Sequence, residues 1–208
     1  MEISVSLLNA KNKLSTVNIL NNTEINYFHI DVMDGKFVSQ ISFPLKEIKE
    51  VSKISKKPLD VHLMVENPIT LIEGLKGLSN INNITIHLEI DKDINNILSK
   101  IKEYGIKRGI AIKPNTDINL LKPYLSNVDQ ILIMTVEPGY GGQPFIESST
   151  DRIIKIKELI KEYNILLEVD GGINDQTIKN VSPSDIAVVG SFITTSDNML
   201  ERINKLKV

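Results

Sequence analysis

The sequence predicts a small closed (β/α)8 barrel, an α/β TIM barrel in a single domain over residues 1–208. Three observations predict it. Short runs rich in Ile, Val and Leu recur near residues 3–8, 26–32, 59–64, 84–89, 109–113, 130–136, 165–170 and 186–190. Longer stretches with helix-like apolar spacing lie between them, which is the signature of βαβ units and a parallel sheet. Eight such units in 208 residues leave about 26 residues each, near the lower size limit of the barrel. A doubly wound open sheet is the alternative. Against it, no Gly-x-Gly-x-x-Gly follows the first run and no Gly-x-x-x-x-Gly-Lys occurs anywhere.

Each element has a local reason. The second run, Tyr27-Phe-His-Ile-Asp-Val-Met33, ends before Asp34-Gly35, a turn pair. Helical spacing follows from Pro44 to Ile54, from Ile94 to Tyr104, from Ser148 to Tyr163 and from Asn198 to Leu206. In the stretch from Ser148, apolar residues recur at Ile153, Ile154, Ile156, Leu159 and Ile160, giving one apolar face. The third run is Leu59-Asp-Val-His-Leu-Met64 and the fourth Ile84-Thr-Ile-His-Leu-Glu89. The fifth ends at Lys113, before Pro114. The seventh, Ile165-Leu-Leu-Glu-Val-Asp170, stops at Gly171-Gly172. No Pro/Gly/Ser-rich linker or composition break marks a second domain.

Composition excludes several function classes. Net charge is -2, from 24 basic and 26 acidic residues, unlike the basic footprint of a nucleic-acid binder. No apolar stretch approaches the roughly 20 residues that span a bilayer. The start, Met1-Glu2-Ile3-Ser4, does not read as a secretory signal, so the expected location is cytoplasmic. With no cysteine, thiolate ligands, disulfides and a cysteine nucleophile are ruled out.

The three histidines, His29, His62 and His87, all fall late in predicted strands. Barrel active sites lie at the C-terminal strand ends, and residues two apart on a strand share a face. His29, Asp31, His62 and Asp170 can therefore face one central point. Two imidazoles and two carboxylates suit one divalent metal ion, Zn²⁺ first, with Mn²⁺, Fe²⁺ or Co²⁺ as alternatives. His87 shares a face with Glu89 and reads equally well as half of a structural hydrogen-bonded pair. Two carboxylates at opposite points of a barrel mouth suit moving a proton across a planar intermediate, one face to the other. A metal would stabilise the enediolate as a Lewis acid. Met33, Met64 and Met134 also end strands and are candidates for an apolar cap over the site, with core filling as the plainer reading.

Three late loops carry glycine: Pro138-Gly-Tyr-Gly-Gly-Gln143, Gly171-Gly172 and Gly190-Ser191. Glycine lets backbone N–H groups approach an anion, and a following helix start adds its dipole. The barrel's usual phosphate site lies there. The expected substrate is a small phosphorylated sugar with its carbonyl at the metal.

These residues resemble ribulose-phosphate 3-epimerase from about residue 3 to 193. The match rests on His29-Ile-Asp-Val-Met-Asp-Gly-Lys-Phe-Val38, Leu59-Asp-Val-His-Leu-Met64, and Met134-Thr-Val-Glu-Pro-Gly-Tyr-Gly-Gly-Gln143. Val169-Asp-Gly-Gly-Ile173 and Val189-Gly-Ser191 follow. The resemblance implies metal ligands His29, Asp31, His62 and Asp170, with Asp31 and Asp170 as the acid–base pair on opposite faces of C3. It implies substrate contacts at Ser6, His62, Gly139, Tyr140, Gly141, Gly142, Asp170, Gly171, Gly172, Gly190 and Ser191. The implied reaction interconverts D-ribulose 5-phosphate and D-xylulose 5-phosphate in the pentose phosphate pathway, and a homo-oligomer is implied. The chain departs from the family pattern at Val5-Ser6, at Lys11, at Ser39-Gln40, near Phe43-Pro44 and at Ser182-Pro-Ser-Asp185. Rival readings are a 3-epimerase of another ketose phosphate such as D-allulose 6-phosphate, a related barrel decarboxylase or aldolase, and a non-catalytic sugar-phosphate binder. Lys113 is the one strand-end lysine that a decarboxylase or aldolase reading could use.

Overall fold

A computed structural model describes residues 1–207. Eight parallel strands form the barrel: β1 (Glu2–Ser6), β2 (Tyr27–Asp34), β4 (Leu59–Met64), β5 (Ile81–His87), β6 (Lys107–Ile112), β7 (Gln130–Met134), β8 (Leu166–Asp170) and β9 (Ile186–Val189). They pair in the order β1-β9-β8-β7-β6-β5-β4-β2, and β1 pairs with β2 to close the cylinder. The intervening β3 (Ile41–Ser42) is a two-residue strand antiparallel to the end of β2. Closure leaves the barrel without a free edge, the usual hazard of a sheet.

Helices α1 (Lys13–Leu20), α2 (Leu45–Ile54), α3 (Ile69–Leu75), α4 (Ile94–Glu103), α5 (Ser149–Leu159), α6 (Ser191–Thr194) and α7 (Met199–Lys205) surround it. Their starts follow capping chemistry. The Asn12 and Asp93 side chains accept the amides of Ser15 and Asn96, satisfying donors that a helix start leaves unpaired. On α4, Ile94, Ile97, Leu98 and Ile101 form the buried stripe, each side chain contributing about 1.5–3 kcal/mol by leaving water.

The predicted α-helices begin within a residue of their expected starts. Two crossovers differ from the eightfold expectation. Ile118–Tyr124, after β6, and Ile178–Val181, after β8, are 3₁₀ turns. Pro123 lies inside the first, and it lacks the amide an α-helix needs. The second has only residues 171–185 in which to leave β8 and enter β9. The helix expected to reach Tyr163 ends at Leu159, where the Ile160 amide bonds both the Ile156 and Glu158 carbonyls.

Strand β2 is longer than its sequence run and continues to Asp34. His29 therefore lies in mid-strand, a layer below the mouth. Asp34 makes the turn: its carboxylate accepts the amides of Lys36, Phe37 and Glu66. The Ser42 hydroxyl on β3 donates to the Asp31 carbonyl, pinning the strand where Asp31 projects. Among the described residues, no helix is long and apolar enough to cross a membrane.

Candidate active site and metal centre

The barrel interior carries ionisable residues in two layers. Residues two apart on a strand share its inward face, and three strands use this twice: His29 and Asp31 on β2, Asp60 and His62 on β4, Glu168 and Asp170 on β8. His87 ends β5, and Glu89 lies in the turn that follows it. Register aligns them across strands, with His29 beside Asp60 and Asp31 beside His62.

His29 reaches up from the lower layer to Asp31, His62 and Asp170 in the upper one, and ligand atoms of the four all lie within 4.8 Å of one another. His29 Nε2 is 3.2 Å from Asp31 Oδ1 and 3.9 Å from Asp170 Oδ2. His62 Nδ1 is 3.4 Å from Asp31 Oδ1 and 3.9 Å from Asp170 Oδ2. Both of these nitrogens are buried with no hydrogen-bond partner. An unpaired buried polar atom is costly, and two aimed at one point with two carboxylates make the donor set of a divalent cation. The residues fit such an ion. The Ser6 hydroxyl donates to Asp31 Oδ2 at 2.6 Å, fixing the carboxylate plane.

The outer nitrogens are held from behind. His29 Nδ1 lies 2.5 Å from Asp60 Oδ2. Asp60 in turn accepts the Ser4 hydroxyl at 2.9 Å and the Asn83 amide at 2.6 Å. His62 Nε2 meets His87 Nε2 at 2.9 Å, and His87 Nδ1 meets Glu89 Oε2 at 2.9 Å. His87 thus does form the pair with Glu89, and it also touches the site through His62.

These contacts set the charge states of the metal-free centre. Burial resists charge on Asp31, but the His29 and His62 rings outweigh it and hold the carboxyl well below the usual range. Burial pushes Asp170 up to about 7, and the Asp31 charge adds to the rise. Burial also opposes protonation of His29, yet the Asp60 and Asp31 carboxylates win and raise it well above an ordinary histidine. Burial keeps His62 and His87 neutral, His87 down to about 4. In the lower layer, burial and the Asp60 charge push Glu168 far up, so it is a neutral acid, with the Gln130 amide donating to it.

A cavity of about 550 Å³ opens above the four residues. Ser6, Asp31, Asp170, Gly139, Tyr140, Gly141, Gly142, Gly171, Gly172, Gly190 and Ser191 all reach its wall; His29 and His62 lie beneath it, fully buried. Gly171 and Gly172 have φ +126° and +69°, conformations that side chains rarely adopt. A Cβ on Gly172 would sit 2.4 Å from the Phe145 amide nitrogen. The helix α6 that follows Gly190 has four residues, so little of the expected dipole is available there and the loop N–H groups remain. Met33, Met64 and Met134 also line the cavity. Met33 and Met64 pack with Val38, whereas Met134 packs with Leu132 and Val136, so they form two apolar walls rather than one cap. Lys113 lies outside the cavity wall, its Nζ 4.1 Å from the Phe37 ring centroid.

A model of the ribulose-phosphate 3-epimerase family matches residues 2–194. The chain belongs to this family. The ribulose-phosphate 3-epimerase of Helicobacter pylori strain J99 is 39% identical over 94% of this chain and 92% of its own length. That of Bacillus subtilis is 33% identical over 86% and 84%. Solved structures share the fold at low identity. KGPDC from Streptococcus mutans superposes with a TM-score of 0.75 at 13% identity, over 99% of this chain and 94% of that one. The 3-hexulose-6-phosphate synthase of Salmonella typhimurium gives 0.73 at 17%, over 99% and 96%.

Two departures from the family pattern have visible contacts. Ser39 hydrogen-bonds the Tyr140 hydroxyl at 3.0 Å, linking the loops after β2 and β7 across the mouth. Ser184, in the segment Ser182–Asp185, donates to the Val181 carbonyl at 2.6 Å and tightens the turn into β9. Sequence reasoning missed Asp60, Glu168 and Arg202. The first two carry a readable signal: each is a charge inside an apolar strand, two residues before a ligand candidate. Arg202 on α7 carried none. It stacks on Phe192 at 4.9 Å and, among the described residues, is the only lysine or arginine on the cavity wall.

Proposed function

We propose that the chain interconverts D-ribulose 5-phosphate and D-xylulose 5-phosphate by inverting C3, in the cavity above His29, Asp31, His62 and Asp170. Family membership supplies the reaction. The observation that carries the site is the convergence of two imidazole nitrogens without hydrogen-bond partners and two carboxylates on one point. All four residues would hold one divalent cation, Zn²⁺ before Mn²⁺, Fe²⁺ or Co²⁺. Such an ion supplies Lewis-acid stabilisation of negative charge developing on substrate oxygens.

The residues of the chain do the rest. Asp31 and Asp170 reach the cavity from β2 and β8, strands separated by β1 and β9. Placed on two sides of the cavity, one carboxylate can take a proton while its partner gives one; without the cation, one is held ionised and the other is raised to about 7. Asp31 removes the C3 proton from one face of the sugar and Asp170 delivers a proton to the other; in the reverse direction the roles exchange. Ser6 keeps Asp31 in register for that transfer. The three methionine side chains exclude water from the enediolate. The phosphate lies among the N–H groups of Gly139–Gly142, Gly171, Gly172, Gly190 and Ser191, with Arg202 as the cation on that wall. A homo-oligomer and a cytoplasmic location complete the proposal; sedimentation velocity tests the first and fractionation the second.

The deciding experiment follows D-ribulose 5-phosphate in D₂O, with and without a chelator. The expected product is D-xylulose 5-phosphate carrying solvent deuterium at C3, with turnover lost on chelation and restored by Zn²⁺. Absence of turnover in protein reloaded with each of the four metals would overturn the proposal.

A further inference from the structure

His87 and Glu89 are ionisable residues near the barrel mouth that the proposed reaction leaves without a role. We infer that they are positioning residues: a hydrogen-bonded relay from Glu89 through His87 fixes the tautomer of His62, so that its Nδ1 lone pair faces the cation site. This rests on the four-ligand reading above.

Glu89 Oε1 accepts the Lys113 amide at 2.7 Å and the Thr116 hydroxyl. Its Oε2 lies 2.9 Å from His87 Nδ1. A carboxylate offers only lone pairs, so His87 must carry its proton on Nδ1. In a neutral imidazole the other nitrogen then accepts. That nitrogen, His87 Nε2, faces His62 Nε2 at 2.9 Å, which must therefore be protonated. His62 Nδ1 is left bare, and it is the nitrogen with no partner beside Asp31 and Asp170. For His29 the orientation is set in one step: Asp60 holds Nδ1, so Nε2 is the nitrogen turned toward the site, free to ligate once its proton is shed. The two histidines thus present different nitrogens, and a ligand's outer hydrogen bond sets which one is available. The relay is anchored: Arg152 donates to the carbonyls of Lys113 and Thr116, and the Phe37 ring covers His87 at 4.6 Å.

Two near-isosteric substitutions make opposite predictions. In Glu89→Gln the amide oxygen is claimed by the Lys113 N–H, so the NH₂ group faces His87 and donates. The relay inverts, and His62 carries its proton on Nδ1, pointing into the cation site. His87→Gln preserves the order, since its NH₂ donates to Glu89 and its oxygen accepts from His62.

The test uses the full chain labelled with ¹⁵N-histidine. Two-bond ¹H–¹⁵N spectra of the metal-free protein identify the protonated nitrogen of His62, and Zn²⁺ titration gives its Kd. Wild type and His87→Gln are expected to show Nε2–H and similar Kd values. Glu89→Gln is expected to show Nδ1–H with Kd raised about 10–100-fold, the usual loss on removing an outer-shell partner. Wild-type His62 protonated on Nδ1, or a Glu89→Gln protein with unchanged tautomer and Kd, overturns the inference. If Glu89→Gln does not fold, the contrast between His87→Gln and His87→Leu decides: the relay predicts weakened Zn²⁺ binding only in the leucine variant, and equal binding overturns it. Wild type showing Nε2–H but taking up no Zn²⁺ supports the relay and overturns the four-ligand reading.

Discussion

Replacing Asp170 by asparagine should stabilise the metal-free fold while abolishing turnover. The Asp170 carboxyl rises from 3.8 to about 7 in the folded chain, through burial first and the Asp31 charge second. A folded value above the unfolded one means that the group's favourable share is complete below about pH 4. It is lost as pH rises toward 7, where the folded state must ionise a carboxyl in a site that resists it. A tenfold change in an acidity constant is worth about 1.4 kcal/mol, which sets a ceiling of about 4 kcal/mol for the full rise. The side chain is 16% exposed, and solvent screening lowers the expectation to about 2–3 kcal/mol. Asparagine has no charge to bury. At pH 8 with a chelator present, Asp170→Asn should shift the urea midpoint upward at an unchanged m-value and raise Tm by roughly 5–10 °C. At pH 3, below the unfolded value of 3.8, Asp170 is protonated in both states and the two proteins should unfold alike. Glu168 and His29 titrate in both proteins, so the pH-dependent difference reads Asp170 together with its coupling to them. An equal gain at both pH values, or no gain at pH 8, would refute the reasoning.

Three further outcomes follow from the same geometry. Asp31→Asn should lower kcat by roughly 10²–10⁴-fold, the usual worth of a positioned acid–base group, and should abolish deuterium wash-in at C3; retained exchange would reassign the base. Zn²⁺ uptake at pH 6 should release protons, because Asp170 and His29 are held protonated in the metal-free centre and a ligand must shed its proton to bind. Calorimetry in buffers of different ionisation enthalpy counts those protons, and a count of zero would contradict the assigned charge states. Gly172→Ala places a Cβ 2.4 Å from the Phe145 amide nitrogen at a φ of +69°; the displaced loop should cost about 1–3 kcal/mol of stability and raise KM more than it lowers kcat, as steady-state kinetics will read.

The barrel was legible because its signal is local. Eight apolar runs and the spacing between them specify strands and crossovers without knowledge of any contact. The four candidate ligands were legible for a similar reason, since strand position and period-two alternation suffice to aim a side chain at the mouth. What stayed hidden depends on register. That His29 meets Asp60 rather than standing alone requires the pairing of β2 with β4. That His87 reaches His62 requires both side-chain rotamers and the close packing of two rings, 5.0 Å apart. The 3₁₀ crossovers were hidden because an apolar spacing of a few residues does not separate an α-turn from its tighter relative. Arg202 lies far along the chain from every motif and arrives at the cavity through the docking of α7 beside α6.

The origin of the ligands along the chain has a consequence for biosynthesis. Residues 29, 31 and 62 emerge on neighbouring strands, whereas residue 170 follows more than a hundred residues later. At ordinary ribosomal speed that gap lasts roughly 5–20 s. During it the nascent chain can offer two imidazoles and one carboxylate, a set with little means of choosing among metals. The fourth arm arrives on β8, and only when β9 and β1 seal the cylinder does it swing to face the others. On the proposed four-ligand reading, shutting the barrel is also the moment at which the full donor set first exists.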